Sequence, residues 1–155
     1  TEGLFLKKSI ASNIFVSVLD MFKKALGASD TKALKETADK WVRELSIKTP
    51  DSNNLVSTLS GGNQQRVVLA KWLARNPKVL ILNGPTVGVD IGSKAEIHKV
   101  VRNLADSGMA VIIISDDIPE VLTNCNKVVV MKMGRIVGEY ASKELGQDSL
   151  ADMLA

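Results

Sequence analysis

The apolar positions follow two regimes along the chain. Ile10, Ile14, Phe15, Val18, Leu19 and Phe22 recur at helical spacing and predict an amphipathic helix from Ser9 to Leu26. Gly27 suits its end, and Asp30 or Thr31 suits the cap of the next helix. That second helix carries the stripe Leu34, Ala38, Trp41, Val42 and Leu45. A polar stretch, Lys48 to Thr58, holds Pro50, Asp51, Ser52, Asn53 and Asn54 and predicts a loop. Beyond Leu59 the pattern changes. A helix runs from Gly61 and Gly62 to Arg75, with Val68, Leu69, Trp72 and Leu73 inward, and Asn76-Pro77 breaks it. Two continuous apolar runs, Val79 to Leu82 and Ala110 to Ser115, predict strands buried on both faces. Between them Ser93 and Glu96 match a capping box. The box opens a helix with Ile97, Val100, Val101 and Leu104, which Gly108 ends. Pro119 to Leu122 predicts a short helix. Val128 to Met133 and Ile136 to Tyr140 predict a hairpin turning at Gly134-Arg135, and Ser149 to Leu154 a last helix.

Strand–helix–strand alternation after residue 78 implies an α/β fold, a mostly parallel sheet flanked by helices. The first third has no strand to contribute. A boundary is therefore expected near residues 48–58, separating a helical part, 1–58, from an α/β part, 59–155. No internal repeat or low-complexity tract is visible.

Composition narrows the chemistry. The 155 residues are 45% apolar, enough for a packed core. One cysteine, Cys125, excludes an internal disulfide and a multi-cysteine zinc site, and one histidine, His98, disfavours His-rich metal chemistry and a triad hydrolase. Apolar runs fall far short of the ~18 residues of a membrane span, and no signal-peptide pattern follows Lys7 and Lys8. The expectation is an intracellular soluble domain. Twenty Lys and Arg against 17 Asp and Glu leave +3, spread without a basic block, which disfavours nucleic acid.

Leu59-Ser60-Gly61-Gly62-Asn63-Gln64-Gln65-Arg66 is the most informative stretch. Ser60 is a good N-cap. Two glycines in a first helical turn are not explained by helix stability, since each costs about 1 kcal/mol relative to Ala. A bare Cα lets a ligand approach the backbone, and a helix N-terminus offers free N–H groups and a positive dipole end to phosphate. A capped helix after a flexible loop is the alternative reading of the same residues.

The order of the neighbours adds a resemblance. Leu59-Ser60-Gly61-Gly62-x-Gln64-Gln65-Arg66, the apolar run Val79 to Leu82, Pro85-Thr86, and Gly88-Val89-Asp90 resemble the signature motif, Walker B strand and D-loop of the ATP-binding cassette of ABC transporters. Gly3-Leu4-Phe5-Leu6 with Ser9-Ile10 and Asn13-Ile14, and Ser115-Asp116-Asp117 running into Ile118-Pro119-Glu120-Val121-Leu122, resemble the second, C-terminal cassette of sugar importers of the ribose, galactose and arabinose type. The resemblance implies a partial P-loop NTPase-type cassette with an N-terminal helical subdomain and a C-terminal hairpin.

In that family each ATP lies between one cassette's P-loop and the other's signature. The resemblance thus implies that Ser60 and the amides of Gly61 and Gly62 meet the γ-phosphate of an ATP held by a partner cassette. It further implies that Gln64 supports the turn and that Gly88 and Asp90 form a D-loop at the seam. The Walker B strand of the family ends in Asp-Glu, one carboxylate for Mg²⁺ and one to polarise water. Here Asn83 and Gly84 stand there. An uncharged amide is a poor ligand for a hard cation, and glycine cannot orient water. The switch histidine of the family falls at Asp116, whose charge repels a γ-phosphate. His98 is expected to be an ordinary helix residue. No Gly-x-x-x-x-Gly-Lys-Ser/Thr loop occurs in the 155 residues. The chain is therefore expected to be a fragment without the P-loop, its preceding strand or the adenine-stacking strands.

The reading is a cassette that binds ATP, with Mg in the full assembly, and couples it to sugar import. Its own site is degenerate, and the chain alone is inactive. Its partners are a second cassette and transmembrane permease subunits, which the helical third meets, at the cytoplasmic face of the membrane. Two alternatives are a non-catalytic scaffold half, favoured by Asn83 and Gly84, and a non-transport ABC-type ATPase acting on nucleic acid.

Overall fold

The computed structural model describes residues 3–22 and 30–154. Packing divides the chain into two compact units, residues 1–78 with 88–100, and residues 79–87 with 101–155.

The first unit is built on three helices. In α1 (Ile10–Phe15) Ser9 is the N-cap and its Oγ accepts from the Ser12 N–H at 3.0 Å. Asn13 is fully buried. Its amide accepts from the Phe5 N–H at 2.7 Å and donates to Ser9 O at 2.9 Å, so the segment before the helix is stitched onto it. The predicted helix Ser9–Leu26 ends at Phe15, and a 3₁₀ turn, Leu19–Phe22, follows. Side-chain bonds, one local and the others to residues after position 70, explain the break. The Ser17 hydroxyl donates to Ile14 O at 3.0 Å and to Lys71 O, and Arg75 donates to Ser17 O and to the Asp20 carboxylate. Such bonds compete with the helical ladder. Leu26 and Gly27 lie outside the described residues.

Helix α2 (Thr31–Glu44) is capped by Asp30, which accepts from the Ala33 N–H at 3.2 Å. Leu34 and Ala38 face the core with Leu45, Ile47 and Val56, while Trp41 and Val42 are only half-buried. The expected loop after α2 is present, closed by a 3₁₀ turn at Val56–Thr58. Its carbonyls at Ser52 and Asn54 accept from the N–H groups of Ala11 and Ile10, at 2.8 and 2.9 Å. Helix α3 (Gly61–Leu73) packs on both α1 and α2, so residues on either side of position 58 share one packed unit.

The inward face of α3 is Gly62, Arg66, Val67, Leu69, Ala70 and Leu73. Trp72, expected inward, is 51% exposed. It stands about a hundred degrees around the helix from Leu73, and the Lys71 ammonium lies 5.2 Å from its ring centroid. Asn76, at φ 51°, closes the helix in the left-handed region before Pro77.

In the second unit β1 (Val79–Asn83) and β2 (Ala110–Ile114) pair in parallel, Val79 opposite Ala110 and Asn83 opposite Ile114. The expected burial on both faces is corrected. Leu80 and Leu82 are buried, whereas Val79, Ile81, Ile112 and Ile114 are exposed on the other face. Continuous apolar sequence specifies a strand able to be covered on both sides; the cover itself must come from other residues.

Helix α4 (Ile91–Asp106) begins earlier than predicted. Asp90 is its cap, accepting from the Ser93 N–H at 2.9 Å. Ser93 therefore sits inside the helix, and Glu96 pairs with Arg66 rather than closing a capping box. Gly108, at φ 97°, ends α4 as expected, with the Met109 N–H donating to Leu104 O at 3.2 Å. Asp117 caps α5 (Ile118–Asn124) through the Glu120 N–H, and α6 spans Gln147–Leu154.

The expected hairpin is β3 (Lys127–Lys132) with β4 (Arg135–Ala141), antiparallel and irregular between Val130 and Met131. Its turn lies one residue earlier than predicted, at Met133-Gly134, with φ values of 49° and 76°. Two left-handed residues match the right-handed twist of the strands they join. Val128, Val130 and Leu150 form the core here, with Ile118, Val121, Leu122, Tyr140, Leu145 and Met153 around them. Among the described residues no helix is long and apolar enough to cross a membrane.

Candidate functional site

The first turn of α3 carries the candidate site of the first unit. Ser60 is extended, at φ −62° and ψ 159°, and the first helical bond runs from the Gln64 N–H to Ser60 O at 2.9 Å. The N–H groups of Gly61, Gly62 and Asn63 thus precede the helical ladder. The Ser60 hydroxyl is not spent on its own backbone; it accepts from the Asn63 amide at 2.9 Å. Asn63 in turn accepts from the Lys48 N–H at 2.8 Å, and the Gln64 amide donates to Leu59 O at 3.0 Å. Both bonds hold the approach to the helix.

The two glycines differ. Ser60 and Gly61 are exposed, and a Cβ on Gly61 would meet nothing within 4 Å. Packing does not ask for a glycine there, and helix stability opposes one. Gly62 is buried, and a Cβ there would lie 2.6 Å from the Ser93 Cβ and closer still to its Oγ. Close approach of α4 demands that bare Cα. Asp90 shares this neighbourhood. Its carboxylate accepts from the Ser93 N–H at 2.9 Å and the Ser93 hydroxyl at 2.7 Å, and these bonds hold its pKa below the usual carboxylate value. Gly88, at φ 72°, makes the preceding turn. One turn further along α3 the Arg66 guanidinium is buried, ion-paired to Glu96 and donating to Ser46 O at 2.7 Å. Burial pulls its pKa down from the ordinary arginine value.

In the second unit, Asn83 ends β1 and Asp116 follows β2, both exposed. The Gly84 N–H donates to Ile114 O at 2.8 Å. The loops after the two strands are tied by Glu120, which is 6% exposed. It accepts from the Thr86 hydroxyl at 2.7 Å and the Ser115 hydroxyl at 2.5 Å. Parallel strands place ligands at their carboxyl ends, so this is where a nucleotide site belonging to this sheet would be sought. The donor set there does not fit a magnesium ion. Asn83 offers a neutral amide, Gly84 nothing, the carboxylate of Glu120 is already engaged, and Asp116 stands without two further His, Cys, Asp or Glu groups placed to share a metal among the described residues. Burial first, and Glu120 second, push the Cys125 thiol above its ordinary pKa, which leaves it unsuited to nucleophilic work. His98 is half-buried on α4.

The structure therefore gathers Ser60, Gly61, Gly62, Gln64, Gly88 and Asp90 in one unit and Asn83 and Asp116 in the other. Sequence reasoning missed Arg66, Ser93 and Glu120. Arg66 had a signal: it falls four residues after Gly62, on the helix face that is otherwise apolar.

Comparison with known proteins gives the family and the fold. The family described as ABC transporter matches residues 2–87. The chain is 41% identical to a ribose import ATP-binding protein of Rhizobium etli, over 96% of this chain and 29% of that protein. It is 40% identical to an arabinose import ATP-binding protein of Burkholderia ambifaria, again over 96% of this chain and 29% of the relative. It thus spans less than a third of the length of these relatives. Among solved structures, cbiO1 of Clostridium perfringens, part of the ABC transporter complex cbiONQ, superposes with a TM-score of 0.74 at 28% identity. That match covers 89% of this chain and 53% of the other. MJ1267, an ATP-binding cassette of an ABC transporter, superposes at 0.77 and 22% identity over 98% of this chain and 61% of its own length, a likeness of fold. With more than half its residues matched by the family and its fold shared with these cassettes, the chain belongs to the ABC transporter family.

Proposed function

We propose that the chain is part of the ATP-binding subunit of a sugar importer and contributes the signature side of a composite ATP site. The single observation that carries this reading is the exposed first turn of α3, where Ser60 and a glycine with open space over its Cα precede the helical ladder. Amides so placed bind the terminal phosphate of a nucleotide brought by a second cassette. ATP supplies the binding energy that draws the two cassettes together. This chain's residues orient its γ-phosphate, and the attacking water is left to the partner's side of the site. The seam is completed by Gly88 and Asp90, whose turn is braced by Ser93.

The strand end at Asn83 and Gly84 has the opposite character. With no carboxylate at the end of β1 to hold a divalent cation and no side chain at Gly84 to position water, the nucleotide site of this cassette is degenerate, and hydrolysis occurs at the partner's site only. Ribose and arabinose importers among the relatives point to a simple sugar as cargo. The ATPase then sits on permease subunits at the cytoplasmic face of the membrane, with the helices of the first unit as the docking face.

Two measurements test this in the complete transporter. Ser60→Arg places a long cation in the phosphate-binding turn and is expected to reduce sugar-stimulated ATPase at least a hundredfold. Unchanged turnover would sink the reading. In a single-turnover experiment, one ADP is expected per pair of cassettes; two would overturn the degenerate site.

A further inference from the structure

The two glycines of the α3 first turn have different structural reasons, and the difference assigns a role to a residue of α4. Gly61 faces open space, while Gly62 faces the first turn of α4, where Ser93 occupies the room a side chain would need. Ser93 is not free to withdraw. Its N–H and its hydroxyl both donate to the two oxygens of Asp90, at 2.9 and 2.7 Å. Val89 closes the same gap, with its Cγ1 3.7 Å from a Cβ placed on Gly62. One turn along, Arg66 of α3 reaches Glu96 of α4 and simultaneously the carbonyl of Ser46 after α2. The N-terminal turns of α3 and α4 are thus held at two levels, by a steric contact at Gly62 and a charged one at Arg66.

We propose that Ser93 is a positioning residue for the phosphate-binding turn. Clasped by Asp90, it abuts the bare Cα of Gly62 and sets where the amides of Gly61 and Gly62 stand relative to the turn at Gly88–Asp90. The phosphate-facing surface is then Gly61, and Gly62 is a glycine because of α4. Ser93 acts through Gly62 and touches no nucleotide. This inference rests on the phosphate reading given above and deepens it.

The test is a size exchange in the complete transporter, with ATPase kinetics and thermal unfolding both measured. Gly62→Ala is expected to lower kcat at least tenfold and to lower Tm, since the new methyl group meets Ser93. Adding Ser93→Gly is expected to bring kcat back to within about threefold of the parent and to restore Tm. Ser93→Gly alone should lower kcat severalfold while KM for ATP moves less than twofold, because the partner cassette holds most of the nucleotide. A loss of folded protein alone would not give that split together with the rescue. If the double variant regains Tm but not kcat, Gly62 itself faces the phosphate and the proposal is overturned. It is equally overturned if Gly62→Ala changes neither quantity. Gly61→Ala separates this from the underlying reading. It has open space, so it should keep or raise Tm and still lose turnover; full activity in either Gly61→Ala or Ser60→Arg would remove the phosphate reading itself.

Discussion

Arg66 shows how one residue organises a helix junction. Its guanidinium is buried while its partner Glu96 is half exposed, so the two ends of the pair carry unequal weight. Removing Arg66 strands the carbonyl of Ser46 and opens a void on the inward face of α3; Arg66→Ala is expected to cost about 2–3 kcal/mol in urea unfolding. Glu96→Gln leaves the guanidinium its carbonyl partner and should cost under ~1 kcal/mol. Equal losses would show that the charge pair, not the burial, sustains the junction. Asp39 offers a pH-dependent counterpart. The Ser52 hydroxyl, 2.5 Å away, and then Lys35 hold its carboxyl below the ordinary value of 3.8. A carboxylate depressed in the folded state adds stability above its unfolded pKa and loses it as pH falls through the folded one. Ser52→Ala is therefore expected to destabilise by about 1 kcal/mol at pH 7. The gap to the parent should close as acid unfolding is followed below about pH 4.

At the scale of elements, capping and turn chemistry decide the boundaries. Asp30 and Ser60 lie where polar residues precede apolar periodicity, and each begins its helix as the pattern predicts, whereas α5 starts one residue before the predicted Pro119, on a cap at Asp117 that the pattern did not single out. The pair Ser93 and Glu96 fits a capping box but lies three residues beyond the true cap, because the Asp90 carboxylate takes the Ser93 N–H and hydroxyl and the helix is already under way at Ser93. The hairpin turn slid by one residue for a similar reason. Gly134 was identified, but its left-handed partner is Met133, 95% exposed. Asparagine suits that position better than a long apolar side chain. Met133→Asn is expected to stabilise by about 0.5 kcal/mol, and Gly134→Ala to destabilise by about 1 kcal/mol, both read from chemical denaturation. The predicted helix Ser9–Leu26 failed on Ser17 and Arg75, residues distant in sequence whose bonds become visible only when α3 is packed on α1.

At the scale of the whole molecule, the pairing of β1 and β2 places Val79 beside Ala110 and Ile81 beside Ile112 on one exposed face. A contiguous apolar face of this kind drives association. Expressed as these 155 residues, the protein is expected to self-associate with rising concentration in light scattering. Ile81→Thr with Ile112→Thr should reduce that association without altering helical circular dichroism. A monomer at every concentration would mean that the face is covered in solution.

The sequence by itself determined the α/β class, the parallel pair, the hairpin, the order of motifs and the family, because each depends on spacing and on residue type within one element. Which glycine of Gly61-Gly62 is open, where Arg66 finds its partners and which face of the sheet stays bare were decided only by tertiary structure. Those properties depend on what a second element brings within reach, and residues distant along the chain, such as Gly62 and Ser93, meet only after the helices have packed.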